Sequence, residues 1–126
     1  MAKDKILIIE DDQAIINSLV ILLKNDYEVD YGKDGNEGLD KVKKFEPDLI
    51  ILDLLMPERD GFDVSKRLKA NADTKDIPVI VLSSFTELHD MTFSDDAAKA
   101  SLPNEVYLTK PIDPPTLLRV IKRYLG

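Results

Sequence analysis

The chain contains no cysteine, so it can build neither a disulfide framework nor a zinc thiolate site, and it has no thiol nucleophile. Positive charge is also scarce. Seventeen Lys and Arg stand against 24 Asp and Glu, a net charge of −7 over 126 residues, with a pI near 4.7. Unspecific binding to nucleic acid or to an anionic membrane selects basic surfaces, so neither is expected, and acidic partners would need a mediating cation. No apolar run is long enough to span a bilayer, and Met1 to Lys5 lack the apolar core of a secretion signal. The expectation is a cytoplasmic chain without membrane insertion. The single histidine, His89, lies among Glu87, Leu88 and Asp90 and is assigned no role.

What the chain does have is alternation. Runs rich in Ile, Leu and Val at residues 5–9, 27–31, 48–53, 77–83 and 105–108 read as strands, the second being the least apolar. Between them, Ile15, Leu19, Leu22 and Leu23 fall on one helical face, and Asp34 with Glu37 resembles a capping box opening a helix that runs to Phe45. Helices are also expected over 62–71, over 87–101, and after Asp113-Pro114-Pro115, where Leu117, Leu118, Ile121 and Leu125 repeat. A βα alternation with near-continuous apolar strands predicts an α/β fold, a parallel sheet in a doubly wound three-layer sandwich. The length suits one domain, 1–126, with no repeat or linker.

Such sheets carry their sites beyond the carboxyl ends of the strands. The unusual polar residues obey that rule: Glu10 and Asp11 end the first strand, Asp53 the third, Ser83 and Ser84 the fourth, and Lys110 the fifth. Carboxylates gathered at one sheet edge oppose one another's ionisation unless a cation lies among them, so the cluster predicts a divalent metal. Mg²⁺ suits hard oxygen ligands, and beside it a carboxylate can attack phosphorus, with Asp53 as the candidate. Lys110 and Ser83 would meet phosphoryl oxygens. Taken alone, Asp53 reads as a turn residue and Ser83-Ser84 as an exposed strand end; it is the company they keep that points to chemistry.

The stretches Ile6 to Asp12, Asp53 with Met56-Pro57-Glu58-Arg59-Asp60-Gly61, Ser83-Ser84, and Tyr107-Leu108-Thr109-Lys110-Pro111 together closely resemble the response regulator receiver family over essentially the whole chain. The resemblance implies a five-stranded parallel sheet in the order 2-1-3-4-5 and a phosphorylatable switch of two-component or phosphorelay signalling that catalyses only its own phosphorylation and dephosphorylation. Asp53 would accept a phosphoryl group from a sensor histidine kinase or phosphotransfer protein. Asp11, Asp53 and the Leu55 backbone carbonyl would hold Mg²⁺, with Glu10 reaching it through water, and Asp12 would be left to the helix start. Ser83 would be the switch hydroxyl beside Ser84, Tyr107 the rotating aromatic and Lys110 the phosphate-binding lysine. Leu55 and Phe85 would flank the path of the hydrolytic water. The output to an unknown protein target would be read on the helix over 87–101, the fifth strand and the last helix. Two departures touch that face: the stretch between Ser83 and Lys110 is longer than usual in the family, and Ala100-Ser101-Leu102-Pro103-Asn104-Glu105 replaces its usual Gly-Ala.

Rival chemistries lack a part. A phosphatase with an aspartate nucleophile and Mg²⁺ carries a second Asp two residues on as general acid, where this chain has Leu55. A flavodoxin-like cofactor carrier needs a phosphate-binding loop after the first strand, and Glu10-Asp11-Asp12-Gln13 would repel phosphate there. A degenerate receiver that works without phosphorylation would have lost a site residue, and none is missing.

Overall fold

A computed structural model describes residues 3–54, 61–83 and 105–126. In chain order it contains β1 (Lys5–Ile9), α1 (Gln13–Leu23), β2 (Glu28–Gly32), α2 (Gly35–Phe45), β3 (Leu49–Asp53), α3 (Gly61–Ala70), β4 (Val79–Ser83), β5 (Glu105–Thr109) and α4 (Pro114–Leu125). The five strands form one parallel sheet in the order β2-β1-β3-β4-β5, as expected. The helix expected over 87–101 lies outside the described residues, as do Leu55, Ser84, Phe85 and His89.

The two sides of the sheet follow from the strand period of two. Ile6, Ile8, Leu49, Ile51, Ile80 and Leu82 face one way, onto Ile16, Leu19 and Leu23 of α1 and Leu117, Val120 and Ile121 of α4. Leu7, Ile9, Ile50, Leu52, Val79 and Val81 face the other, onto Val42 of α2 and Val64 and Leu68 of α3. Every residue of β3 and β4 is buried, which is why these strands read as unbroken apolar runs. The buried seam of α1 runs through Ile16, Leu19 and Leu23; the expected Ile15 and Leu22 are only partly buried at its margins.

Boundaries moved where a hydrogen bond settled them. Tyr27 N–H donates to the Leu23 carbonyl at 2.9 Å, so Tyr27 closes the end of α1 and β2 starts one residue later than expected. Ile77 N–H donates to Thr74 O at 3.0 Å, which places it in a turn, and Pro78 has no N–H to give; β4 therefore begins at Val79. Asp48 precedes β3 as a clamp, its N–H donating to Lys5 O at 2.8 Å and its carboxylate accepting Lys5 N–H at 2.8 Å. Asp34 caps α2 by accepting Glu37 N–H at 2.8 Å, and Asp113 caps α4, accepting from both the Thr116 N–H and the Thr116 hydroxyl. Among the described residues no helix is long and apolar enough to cross a membrane.

Candidate functional site

The neighbouring strands β1, β3 and β4 end along one carboxyl edge of the sheet, and β5 lies beside β4. The pairing of β1 with β2 runs one residue past the strand: Glu10 N–H donates to the Gly32 carbonyl at 3.0 Å. That bond draws the Glu10 side chain inward, and the residue is only 1% exposed. Its Oε1 accepts Asp12 N–H at 3.3 Å. Asp12 turns the opposite way, its Oδ1 accepting Ala14 N–H at 2.9 Å and Ile15 N–H at 3.4 Å as the N-cap of α1. Of the three consecutive acids, then, Asp12 serves the helix. Glu10 and Asp11 remain for the site. Gly32 was not singled out in the sequence; its one visible signal was a glycine closing a strand just before the Asp34 cap.

Asp53 is the last residue of the central strand β3 and is 3% exposed. The next residue, Leu54, is tied to the sheet by its N–H to the Leu82 carbonyl at 3.0 Å. Carboxylate oxygens of Glu10, Asp11 and Asp53 all lie within 4.8 Å of one another. Ser83 ends β4 fully buried, with its hydroxyl oxygen unpartnered, while its carbonyl accepts Lys110 N–H at 2.7 Å. That bond anchors Lys110 just beyond β5. Its Nζ stands 3.0 Å from Asp53 Oδ1 and 3.6 Å from Glu10 Oε2.

Three carboxylates, Glu10 and Asp53 buried and Asp11 exposed, stand against one ammonium and leave an excess of negative charge. Burial, reinforced by the charge of Asp53, pushes the Glu10 carboxyl up to about 8, with Lys110 opposing. Burial also raises Asp53, and its hydrogen bond and charge contact with Lys110 work against that rise. Glu10 Oε2 has no hydrogen-bond partner, a costly condition for a buried carboxyl oxygen. An all-oxygen donor set, an excess of negative charge and an orphaned buried oxygen fit a small hard cation.

Tyr107 is half-buried on the opposite side of the sheet from α1 and α4, packed against the apolar cluster that includes Val79 and Val81. The structure thus brings together Glu10, Asp11, Asp53 and Lys110, with Ser83 joined through the backbone of Lys110. Leu55, Ser84 and Phe85 lie outside the described residues.

Residues 6–122 match the response regulator receiver domain. The DNA-binding dual master transcriptional regulator RpaA of Synechocystis is 37% identical over 122 residues, 96% of this chain and 48% of that protein. The polar-differentiation response regulator DivK of Brucella ovis is 32% identical over 122 residues, 96% of this chain and 95% of DivK. The chain therefore spans about half the length of RpaA and almost all of DivK. The solved structure of the Vibrio cholerae chemotaxis protein CheY4 overlays with a TM-score of 0.84 at 29% identity, covering 98% of this chain and 99% of that one. With its sheet order, its strand-end acids and a family match over nearly its full length, the chain belongs to the response regulator receiver domain family, the phosphorylatable switches of two-component signalling.

Proposed function

We propose that residues 1–126 act as one receiver domain in which Asp53 is the phosphoacceptor, taking a phosphoryl group from the phosphohistidine of a sensor histidine kinase or phosphotransfer protein. The observation that carries this reading is the approach of Lys110 Nζ to within 3.0 Å of Asp53 Oδ1 beside a cluster of oxygen ligands. An Asp53 oxygen forms the new bond to phosphorus as the phosphorus–nitrogen bond of the donor breaks, and the leaving imidazole keeps the electron pair. Attack requires an ionised carboxylate, and Lys110 favours that form against the pull of burial.

The residues that would hold Mg²⁺ are Asp11, Asp53 and the Leu55 backbone carbonyl, with Glu10 through water. When bound, the ion supplies positive charge that lets an anionic attacker approach an anionic phosphoryl group. Lys110 then donates to one phosphoryl oxygen and the Ser83 hydroxyl, assisted by Ser84, to another. Ser83 Oγ is buried without a partner, which supports its readiness for an incoming acceptor. Drawing Ser83 inward frees space for Tyr107, and the population shifts toward a form whose face around the 87–101 segment, β5 and α4 binds the target. The protein catalyses no turnover beyond its own phosphorylation and dephosphorylation. Its acidic charge supports a protein target over direct contact with nucleic acid.

Wild type and Asp53→Asn, incubated with acetyl phosphate and Mg²⁺ and compared by mass spectrometry, test the assignment. One added phosphoryl group on wild type and none on the variant is expected. Equal modification of both would remove Asp53 from the role.

A further inference from the structure

The first residue of α3 lies closer to the phosphoacceptor than any side chain would allow. A Cβ placed on Gly61 would fall 2.5 Å from the Asp53 carbonyl oxygen, 2.7 Å from Leu54 Cα and 2.8 Å from Leu54 O. All three atoms belong to the backbone, so no side-chain rotation could relieve the contact. The Gly61 N–H meanwhile donates to Leu54 O at 2.7 Å. Gly61 has no positive φ, so glycine is there for space and not for its backbone freedom.

The other side of this contact cannot give way easily. β3 pairs with β1 on one side and with β4 on the other, and Leu54 N–H is bonded to Leu82 O at 3.0 Å. Leu54 is thus gripped through both its amide and its carbonyl, by β4 and by Gly61. The two ends of the 55–60 segment, Leu54 and Gly61, are pinned at one place directly behind Asp53.

We propose that Gly61 is a positioning residue for the phosphoacceptor. Its missing side chain lets α3 seat on the Asp53–Leu54 backbone and so sets the orientation of the Asp53 carboxylate toward the metal and the phosphoryl group. This inference rests on the function proposed above. A methyl group at position 61 must push the start of α3 away from the strand end, since the strand is held on both edges. The Leu54–Gly61 hydrogen bond lengthens, and the peptide that follows Asp53 loses its anchor. Groups that orient metal ligands from behind typically change metal affinity by about 10–100-fold when altered, and that is the loss expected here.

The test compares wild type, Gly61→Ala and Leu68→Ala. Leu68, seven residues further along the same helix, is 2% exposed and packs in the apolar core, so its truncation reports destabilisation of α3 without a clash at the Asp53–Leu54 backbone. Mg²⁺ is titrated into each protein and followed by amide chemical shifts, with urea unfolding run alongside. Gly61→Ala should weaken Mg²⁺ by at least about tenfold and shift the Asp53 and Leu54 amides in the metal-free protein. Leu68→Ala should lose stability but keep the wild-type affinity. Should Gly61→Ala fail to fold, native-state hydrogen exchange of wild type serves instead. The Gly61 amide should become more protected when Mg²⁺ and beryllofluoride are added. Wild-type Mg²⁺ affinity in Gly61→Ala, a matching loss in Leu68→Ala, or a Gly61 amide indifferent to the ligands would overturn the proposal. A wild-type protein that neither binds Mg²⁺ nor is modified at Asp53 would overturn the underlying functional reading instead.

Discussion

Lys110 Nζ lies 3.0 Å from Asp53 Oδ1, although 56 residues separate them in the chain and only the β3-β4-β5 ladder brings them together. The Lys110 side chain is 28% exposed and that of Asp53 4%, so water reaches the pair from the lysine side. Lys110→Ala leaves two buried carboxylates facing each other without their cation. Charged hydrogen bonds of this kind are worth about 1.5–3 kcal/mol, so beryllofluoride affinity in Mg²⁺ should fall roughly tenfold or more. Lys110→Arg should recover only part, because a planar fork does not replace a compact ammonium. Fluorine NMR titration measures both, and an unchanged affinity in Lys110→Ala would exclude contact with the phosphoryl group.

Glu10 gives the metal-free protein a pH dependence of definite sign. Its carboxyl is raised from 4.5 to about 8 in the folded chain, so between those values the folded state binds more protons than the unfolded one. Stability from this group is full below about 4.5 and is lost as pH rises through about 8. Metal binding needs the carboxylate and releases the proton, so Mg²⁺ should bind more tightly toward pH 8 and offset the loss of stability. Melting temperatures across this window, with and without Mg²⁺, check it. Glu10→Gln should flatten the metal-free slope, and a metal-free stability that rises with pH would contradict the assignment.

Asp11 and Asp12 are adjacent acids with separate tasks. Asp12→Ala removes the acceptor for Ala14 and Ile15 N–H and should cost about 0.5–2 kcal/mol of stability. Its Mg²⁺ affinity should stay near wild type. Asp11→Ala should do the reverse, weakening Mg²⁺ while the exposed side chain costs little stability. Urea unfolding and metal titration of the two variants decide the register, and the opposite ranking would place it one residue later.

The lifetime of the phosphorylated state is expected to be long. Leu55 and Phe85, proposed to flank the path of the hydrolytic water, carry no group able to orient it for in-line attack. Leu55→Asn combined with Phe85→Glu should speed the loss of phosphate clearly, followed as decay of the phosphorylated mass after the donor is removed. A double variant that decays no faster than wild type would move the gate elsewhere.

Element order and type were legible in the sequence because each signal is local. The apolar runs of β3 and β4 are continuous since both faces of a parallel sheet are covered, and Asp12, Asp34 and Asp113 announce helix starts because a cap bonds within three residues of itself. The same logic explains what was misplaced: Tyr27 and Ile77 look like strand residues by type, but Tyr27 gives its N–H to the carbonyl of the last residue of α1 and Ile77 gives its own to a turn carbonyl, a competition that composition does not record. The strand-end positions of Glu10, Asp11, Asp53, Ser83 and Lys110 likewise follow from local apolar runs ending in polar residues. Their meeting does not. The oxygen cluster, the 3.0 Å contact of Lys110 with Asp53, the Gly32 carbonyl that holds Glu10 and the rise of its carboxyl to about 8 all depend on separate strands arriving at one edge. Gly61 is the sharpest case: the sequence shows a glycine where a helix begins, and only the packing of that helix onto β3 leaves no room for a Cβ. Chemistry written in local pattern can be read from the chain, whereas distance, burial and the exclusion of a methyl group are properties of pairs far apart in sequence, and only the folded sheet creates those pairs.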